Sequence, residues 1–186
     1  PVPFAPAAFP RYVFTLGDPA SLAGNLVSGT DKLNGEGEFV VNFRADHPSS
    51  AGPMRYIVEA SVTDVDRQNY AGRLTNIVHP AAFYIGVLPP SRAILPAGEK
   101  LSVPVIAVQP DGTPREQVEM TVEFELVEQH TTTRMNENGG TQMFNRPVYV
   151  EKQRCAITTR QTAINCEFAM PEAGVYQVRA AAEDAD

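Results

Sequence analysis

Residues 56–66 read Tyr-Ile-Val-Glu-Ala-Ser-Val-Thr-Asp-Val-Asp, and residues 176–186 read Tyr-Gln-Val-Arg-Ala-Ala-Ala-Glu-Asp-Ala-Asp. Both copies place Tyr, Val and Ala at every second residue, which is the side-chain period of a strand with one buried face. Both end in Asp-x-Asp, a turn signal, because Asp side chains hydrogen-bond to the backbone just ahead of them. The repeat therefore predicts two tandem copies of one β domain.

The composition agrees with an all-β chain. Among 186 residues there are 16 prolines and 13 glycines, and 43% of the residues are hydrophobic. This suits short strands joined by tight turns, whereas a proline inside a helix costs about 3 kcal/mol. The length fits two β domains of about 90–100 residues each. We predict two tandem antiparallel β-sandwiches, residues 1–81 and 82–186.

Residues 118–127 form the clearest predicted strand, because apolar and polar residues alternate along all ten positions. The apolar face consists of Val118, Met120, Val122, Phe124 and Leu126. Similar patterns predict strands at residues 12–16, 38–44, 54–63, 70–78, 83–88 and 101–108, and on both sides of the segment between the cysteines. No segment has convincing helical periodicity.

Proline and glycine positions predict the remaining local structure. Pro104 indicates that the strand at 101–108 lies at a sheet edge, because proline lacks an N–H group. Pro110-Asp-Gly-Thr113 is typical of a hairpin turn, in which glycine supplies the positive φ. Residues 1–11, with four prolines, predict an extended connector. Residues 130–146 predict a long polar loop, either a protruding hairpin tip or a segment that binds a partner or is accessible to proteases.

The surroundings of the two repeat copies differ. The predicted strand at 70–78 follows the first Asp-x-Asp, whereas the second copy ends at Asp186. About 93 residues separate Phe83 from Tyr176, but only 55 precede Tyr56. We therefore expect the first domain to lack N-terminal strands and the second its last strand. The start at Pro1 rather than Met also indicates a processed or excised piece.

The charge distribution argues against a nucleic-acid partner. The net charge is −7 and the pI is near 5.0, and the Lys and Arg residues form no basic stripe. No apolar run approaches the roughly 18 residues that would cross a bilayer, and no signal peptide is recognisable. We expect no nucleic-acid binding and no direct membrane insertion of this segment.

Cys155 and Cys166 are the two cysteines of the chain. Strand-like runs flank the short polar segment between them, and a hairpin there would bring the two Cβ atoms within disulfide range. We predict a Cys155–Cys166 disulfide, which implies an oxidising compartment. The alternative is a pair of reduced core cysteines. A metal site is disfavoured, because two cysteines without a nearby histidine fall short of four ligands.

Other chemically capable residues have ordinary structural interpretations. His47, His79 and His130 lack ligand spacing. The pairs Asp64-x-Asp66 and Asp184-x-Asp186 suit turns better than Ca²⁺, which needs six or more oxygens. The glutamates at 116, 119, 123, 125 and 128 are typical of a solvated strand face. No nucleophile elbow or phosphate loop occurs. The sequence predicts no catalytic, cofactor-binding or metal-binding residue, and no enzyme activity.

Several sequence segments together resemble bacterial α2-macroglobulins, and the resemblance covers the chain from about Tyr12 onward. Those segments are Tyr56-Ile-Val-Glu-Ala-Ser-Val-Thr-Asp-Val-Asp-Arg-Gln-Asn69, Val78-His-Pro-Ala81, Phe83-Tyr-Ile-Gly86, Val105-Ile-Ala-Val-Gln-Pro-Asp-Gly112 and, after Cys166, Ala173-Gly-Val-Tyr-Gln-Val-Arg-Ala-Ala-Ala-Glu-Asp184. They are similar to the fifth and sixth macroglobulin-like domains, which precede the bait-region domain. The resemblance implies seven-stranded antiparallel sandwiches of the immunoglobulin or fibronectin-III type.

The resemblance also implies a function for the parent protein. Such proteins are large periplasmic peptidase traps, often anchored to the inner membrane by lipid. A peptidase cuts a bait segment, and in many members a Cys–Gln thioester then captures it. The thioester motif Cys-x-Glu-Gln is absent here, since Cys155 precedes Ala-Ile-Thr and Cys166 precedes Glu-Phe-Ala. We expect the bait segment downstream of Asp186, so this chain is expected to be scaffold whose partners are neighbouring domains and trapped peptidases.

Two other functions fit the residues alone. One is an immunoglobulin-like repeat segment of a bacterial surface adhesin or stalk. The other is an accessory β domain of an extracytoplasmic enzyme, with the catalytic residues outside this chain.

Overall fold

The computed structural model describes residues 2–14, 24, 26–45, 52–92, 94–135 and 140–183. These residues form eight antiparallel strands and no helix, which confirms the all-β prediction. The strands are β1 (Met54–Thr63), β2 (Asn69–Val78), β3 (Tyr84–Val87), β4 (Lys100–Val108), β5 (Glu119–Met135), β6 (Thr141–Thr158), β7 (Ile164–Ala169) and β8 (Val175–Ala182).

The chain divides into two compact units. One contains residues 1–4 and 15–80, and the other contains residues 5–14 and 81–186. The segment 5–14 thus groups with the second unit, where Val13 forms an antiparallel bridge with Val87 of β3. The predicted domain limits, 1–81 and 82–186, remain a prediction.

The described strands of the first unit form one hairpin. β1 pairs with β2 along ten residues, from Met54↔Val78 to Thr63↔Asn69. Asp64 closes the turn, since its N–H donates to the Gln68 carbonyl and its carbonyl accepts the Arg67 N–H, both at 2.9 Å. The turn predicted at the first Asp-x-Asp is therefore present, and the second, at Asp184 and Asp186, lies outside the described residues.

The strand predicted at residues 38–44 is wrong. These residues have no strand conformation and pair with none of the described strands. Local alternation favours an extended backbone, but a strand also needs a neighbour for its ladder hydrogen bonds. Just ahead, the Asn34 side chain accepts the N–H groups of Glu36 and Glu38 and closes a turn there.

The second unit is a sandwich of two three-stranded sheets, ordered β3-β4-β7 and β6-β5-β8. Apolar side chains from both sheets form one core between them. The core residues are Val103, Val105 and Ala107 of β4, Val118 ahead of β5, Met120, Val122 and Phe124 of β5, Cys166 and Phe168 of β7, Met170 after it, and Ala180 of β8. The rings of Phe124 and Phe168 stack across the sheets with centroids 4.6 Å apart.

β5 confirms the alternation predicted for residues 118–127. All five residues of the predicted apolar face are buried. Glu119 is exposed on the other face, and Glu123 and Glu125 are partly exposed. The predicted hairpin turn before β5 is also present, with Gly112 at a φ of +89°.

The prediction that Pro104 marks an edge strand is wrong, because β4 is the central strand of its sheet. The carbonyl of Pro104 accepts the N–H of Leu88 at 2.9 Å, one residue beyond the end of β3. In an antiparallel ladder the nitrogen of a residue faces the same neighbour as its carbonyl. The missing N–H of Pro104 therefore costs one bond at the end of β3 and leaves the pairing with β7 intact.

The polar loop predicted at residues 130–146 is wrong in its secondary structure. β5 and β6 stay paired as far as Met135↔Thr141. Residues 128–135 and 141–148 therefore form a two-stranded β-ribbon, which we call the ribbon, beyond the part of β5 that pairs with β8. The structure shows the hairpin, whereas partner binding or protease access at these residues stays a prediction.

Candidate functional site

The two cysteines join the two sheets of the sandwich. Cys155 lies in β6 and Cys166 in β7, and a disulfide connects them with a Cα–Cα distance of 6.3 Å. The prediction that the two cysteine strands form a hairpin is wrong, because β6 pairs with β5 whereas β7 pairs with β4. The chain crosses from one sheet to the other in the short connection at 159–163. The disulfide therefore ties the outer strand of one sheet to the outer strand of the other.

Thr159 fixes the start of that crossing, and no sequence pattern singled this residue out. The residue is 3% exposed, and its hydroxyl donates to the Arg115 carbonyl at 2.7 Å and accepts the Val118 N–H at 2.9 Å. Its backbone N–H donates to the Val118 carbonyl, and its carbonyl accepts the Gln117 N–H. Buried backbone groups need such partners, so Thr159 holds the crossing against the start of β5.

The three histidines are not brought together among the described residues. His79 contacts Phe4 edge-on, with ring centroids 5.9 Å apart. His130 lies in the ribbon, with its Nε2 3.2 Å from an oxygen of Glu128. His47 lies outside the described residues.

The acidic residues likewise form no cation site in the described part of the chain, where no group of three or more His, Cys, Asp or Glu residues has metal-binding geometry. The glutamate-rich face of β5 is partly neutralised by arginine. Arg154 of β6 contacts Glu123 at 2.9 Å and Glu151 at 2.7 Å. The face is therefore a solvated surface of mixed charge, as its alternation predicted.

β6 has a bulge where it passes the middle of β5. Phe124 pairs with Gln153 and Glu125 pairs with Glu151, so Lys152 is the extra residue. The ammonium of Lys152 lies 2.7 Å from a Glu172 oxygen, and that hydrogen bond raises the pKa of Lys152. The ion pair links the bulge to the connection before β8.

Two further pKa shifts have local structural causes. The hydroxyl and backbone N–H of Thr113 donate to Oδ1 of Asp111, at 2.7 and 2.9 Å, and lower the pKa of Asp111. Burial raises the pKa of Tyr84 to about 12, so its phenol stays neutral. Asp111 lies in the turn before β5, and Tyr84 is the first residue of β3.

One face of the β1–β2 hairpin is apolar and open. Opposed residues share a face in an antiparallel pair, so Val58 and Leu74 lie on the same side, as do Val62 and Tyr70. These side chains are 38% to 60% exposed. An exposed apolar sheet face is typical of an interaction surface. No described helix is long and apolar enough to cross a membrane.

Comparison with known proteins identifies the fold. No family model and no curated protein matches the sequence. A crystal structure of Salmonella alpha-2-macroglobulin reacted with methylamine matches 96% of this chain, with a TM-score of 0.59 and 16% identity. A cryo-EM reconstruction of the native conformation of E. coli alpha-2-macroglobulin also matches 96%, with a TM-score of 0.58 and 15% identity. The fold is that of a segment of bacterial alpha-2-macroglobulin.

The chain covers 12% of the length of each of these macroglobulins. At this identity the likeness establishes the shared fold, and it confirms at that level the resemblance predicted from the sequence.

Proposed function

We propose that this chain is a non-catalytic scaffold module of a periplasmic, α2-macroglobulin-like endopeptidase inhibitor. The observation that carries the proposal is the fold match to bacterial alpha-2-macroglobulins over 96% of the chain. The inter-sheet disulfide adds support, because disulfides persist in oxidising compartments such as the periplasm. Anchoring of the parent protein to the inner membrane as a lipoprotein belongs to the same proposal.

In this function the module transmits and withstands movement and makes no chemical contact with the peptidase. Its core and disulfide keep the two sheets together while other parts of the parent protein rearrange. Its direct partners are neighbouring domains of the parent, and the open apolar face of the β1–β2 hairpin is suited to such a contact. Peptidases are partners only of the whole assembly.

Limited proteolysis of the full-length parent protein tests the proposal. Several peptidases of different specificity are applied briefly, and the first cut of each is mapped by mass spectrometry. A trap predicts that the first cuts fall together in one bait segment outside residues 1–186 and that peptidase inhibition accompanies them. Uniform resistance along the whole protein would contradict the trap and favour an adhesin or stalk. Hydrolytic activity of the 186-residue chain itself would contradict its non-catalytic role.

A further inference from the structure

β8 lies at the end of its sheet and has one open edge. In the order β6-β5-β8 it pairs with β5, and no other described strand pairs with it. Its backbone, about 27 Å of extended chain, turns the N–H and C=O groups of every second residue to the open side. Residues 175–182 contain no proline or lysine, which commonly protect sheet edges. The edge of β8 can therefore accept another strand.

The side of the sandwich formed by β3 and β8 leaves apolar side chains partly exposed. On the opposite side, the disulfide and a 2.8 Å hydrogen bond from Gln153 Nε2 to the Glu167 carbonyl connect β6 with β7. Along β3 and β8, six side chains pack on the core but are only partly buried: Phe83, Ile85, Val87, Tyr176, Val178 and Ala182. A strand beside β8 would extend the sheet over this side and cover more of them.

The internal repeat shows which kind of strand suits β8. The Tyr-x-Val-x-Ala pattern of β8 is also that of β1, and β1 has a partner, β2. In β2 the bulky Tyr70 and Leu74 flank the small Gly72, on the face that carries the valines and the alanine of β1. Opposed residues of an antiparallel pair share a face. A strand paired with β8 in the same register would therefore direct its bulky residues toward the core.

The charge at one position of the repeat is reversed. Three residues after the tyrosine, β1 has Glu59 whereas β8 has Arg179. Glu59 lies opposite Arg73 of β2, with Oε1 3.6 Å from the arginine Nε. Arg179 is exposed and has no ion pair with the described residues, and the Glu123 opposite it on β5 contacts Arg154 at 2.9 Å. A partner of β8 therefore gains most from a carboxylate where β2 has Arg73.

We propose that the open edge of β8 binds an antiparallel strand of defined chemistry. The strand has bulky apolar residues opposite Val178 and Ala182, with a small residue between them. It has an aspartate or glutamate opposite Arg179. Its source is a neighbouring part of the parent protein, and this source rests on the proposed scaffold function.

NMR titration of the 186-residue chain with two synthetic peptides tests the proposal. One peptide has the sequence of residues 69–78 with Arg73→Glu, and the control peptide has the unchanged sequence. The Arg73→Glu peptide should bind β8 roughly fivefold more tightly, because the control peptide places an arginine opposite Arg179. At β1 the preference is reversed, because Glu59 repels the Arg73→Glu peptide. Exchange with the β2 strand of the chain is therefore distinguishable from binding to β8.

Arg179→Glu in the chain is the reciprocal change. It should reverse the order of the two peptides, so that the control peptide binds roughly fivefold more tightly. Hydrogen exchange locates the binding, since every second amide of residues 175–182 should become protected while the amides of β1 do not change.

Four results would overturn the proposal. They are equal affinities of the two peptides, protection of β1 instead of β8, no binding of either peptide, and protection of β8 that rises with the concentration of the chain alone. The last result would assign the edge to a second copy. Any of them would leave the scaffold function standing, because limited proteolysis of the parent protein tests that function separately.

Discussion

Replacing Phe168 by alanine tests whether the two sheets of the second unit depend on one shared core. Phe168 is 2% exposed, stacks on Phe124 at 4.6 Å and meets the Tyr176 ring edge-on at 5.5 Å. Phe-to-Ala changes in protein cores cost about 3–5 kcal/mol, because transfer free energy is lost and a cavity remains. Two aromatic contacts disappear as well, so we expect a loss of about 4 kcal/mol, which is much of the roughly 5–15 kcal/mol of a typical domain.

Urea denaturation measured by circular dichroism gives the loss as a lower midpoint with an unchanged slope. The melting temperature should fall by roughly 15–30 °C, at about 4–8 °C per kcal/mol for a domain of this size. Phe144→Ala in the ribbon is the matched control, because that ring is 46% exposed. It should change the free energy of unfolding by less than about 0.5 kcal/mol. A cost below about 1 kcal/mol for Phe168→Ala, or equal costs for the two variants, would refute the shared core.

Three further predictions concern the disulfide and the turns. Replacing Cys155 and Cys166 together by serine should lower the free energy of unfolding by about 3 kcal/mol, since the bridge closes a short loop; an unchanged urea midpoint would contradict this. Thr159→Val leaves a buried backbone N–H without its hydroxyl acceptor, and calorimetry should show a loss of about 1–3 kcal/mol, whereas Thr159→Ser should retain most of the stability. Asp111 has a pKa below its ordinary 3.8, so its contribution to stability is complete above that pH and is lost as the pH falls through the lower folded pKa. In Thr113→Val the pKa of Asp111, measured by carbon NMR, should rise toward 3.8, and an unchanged pKa would argue against the hydroxyl as the main cause.

The strands with strong local patterns could be predicted from the sequence. The alternation at 118–127 specified which face of β5 is buried, because a strand has only two faces. Residues 54–63 were predicted as β1 with its observed bounds. Their partner β2 was predicted one residue short, from position 70 instead of Asn69. The turn at Gly112 was predictable because few residues other than glycine adopt its φ.

The features that depend on strand partners could not be predicted. Residues 38–44 alternate as well as some true strands do, yet none of the described strands pairs with them. Pro104 lies in a central strand because β3 ends where the missing N–H would face it. The cysteines suggested a hairpin, although a crossing between sheets brings two strands equally close. The sheet to which a strand belongs depends on residues far away in the sequence, so it cannot be predicted from the spacing of neighbouring residues.

Small-angle scattering of the full-length parent protein, before and after cleavage by a peptidase, tests the central claim most directly. If this chain is scaffold in a peptidase trap, one cut outside residues 1–186 should reduce the radius of gyration of the whole protein. Hydrogen exchange measured in parallel should show that the amides of β4, β5 and β7 stay protected. An unchanged radius after cleavage, or loss of protection in these core strands, would contradict the account.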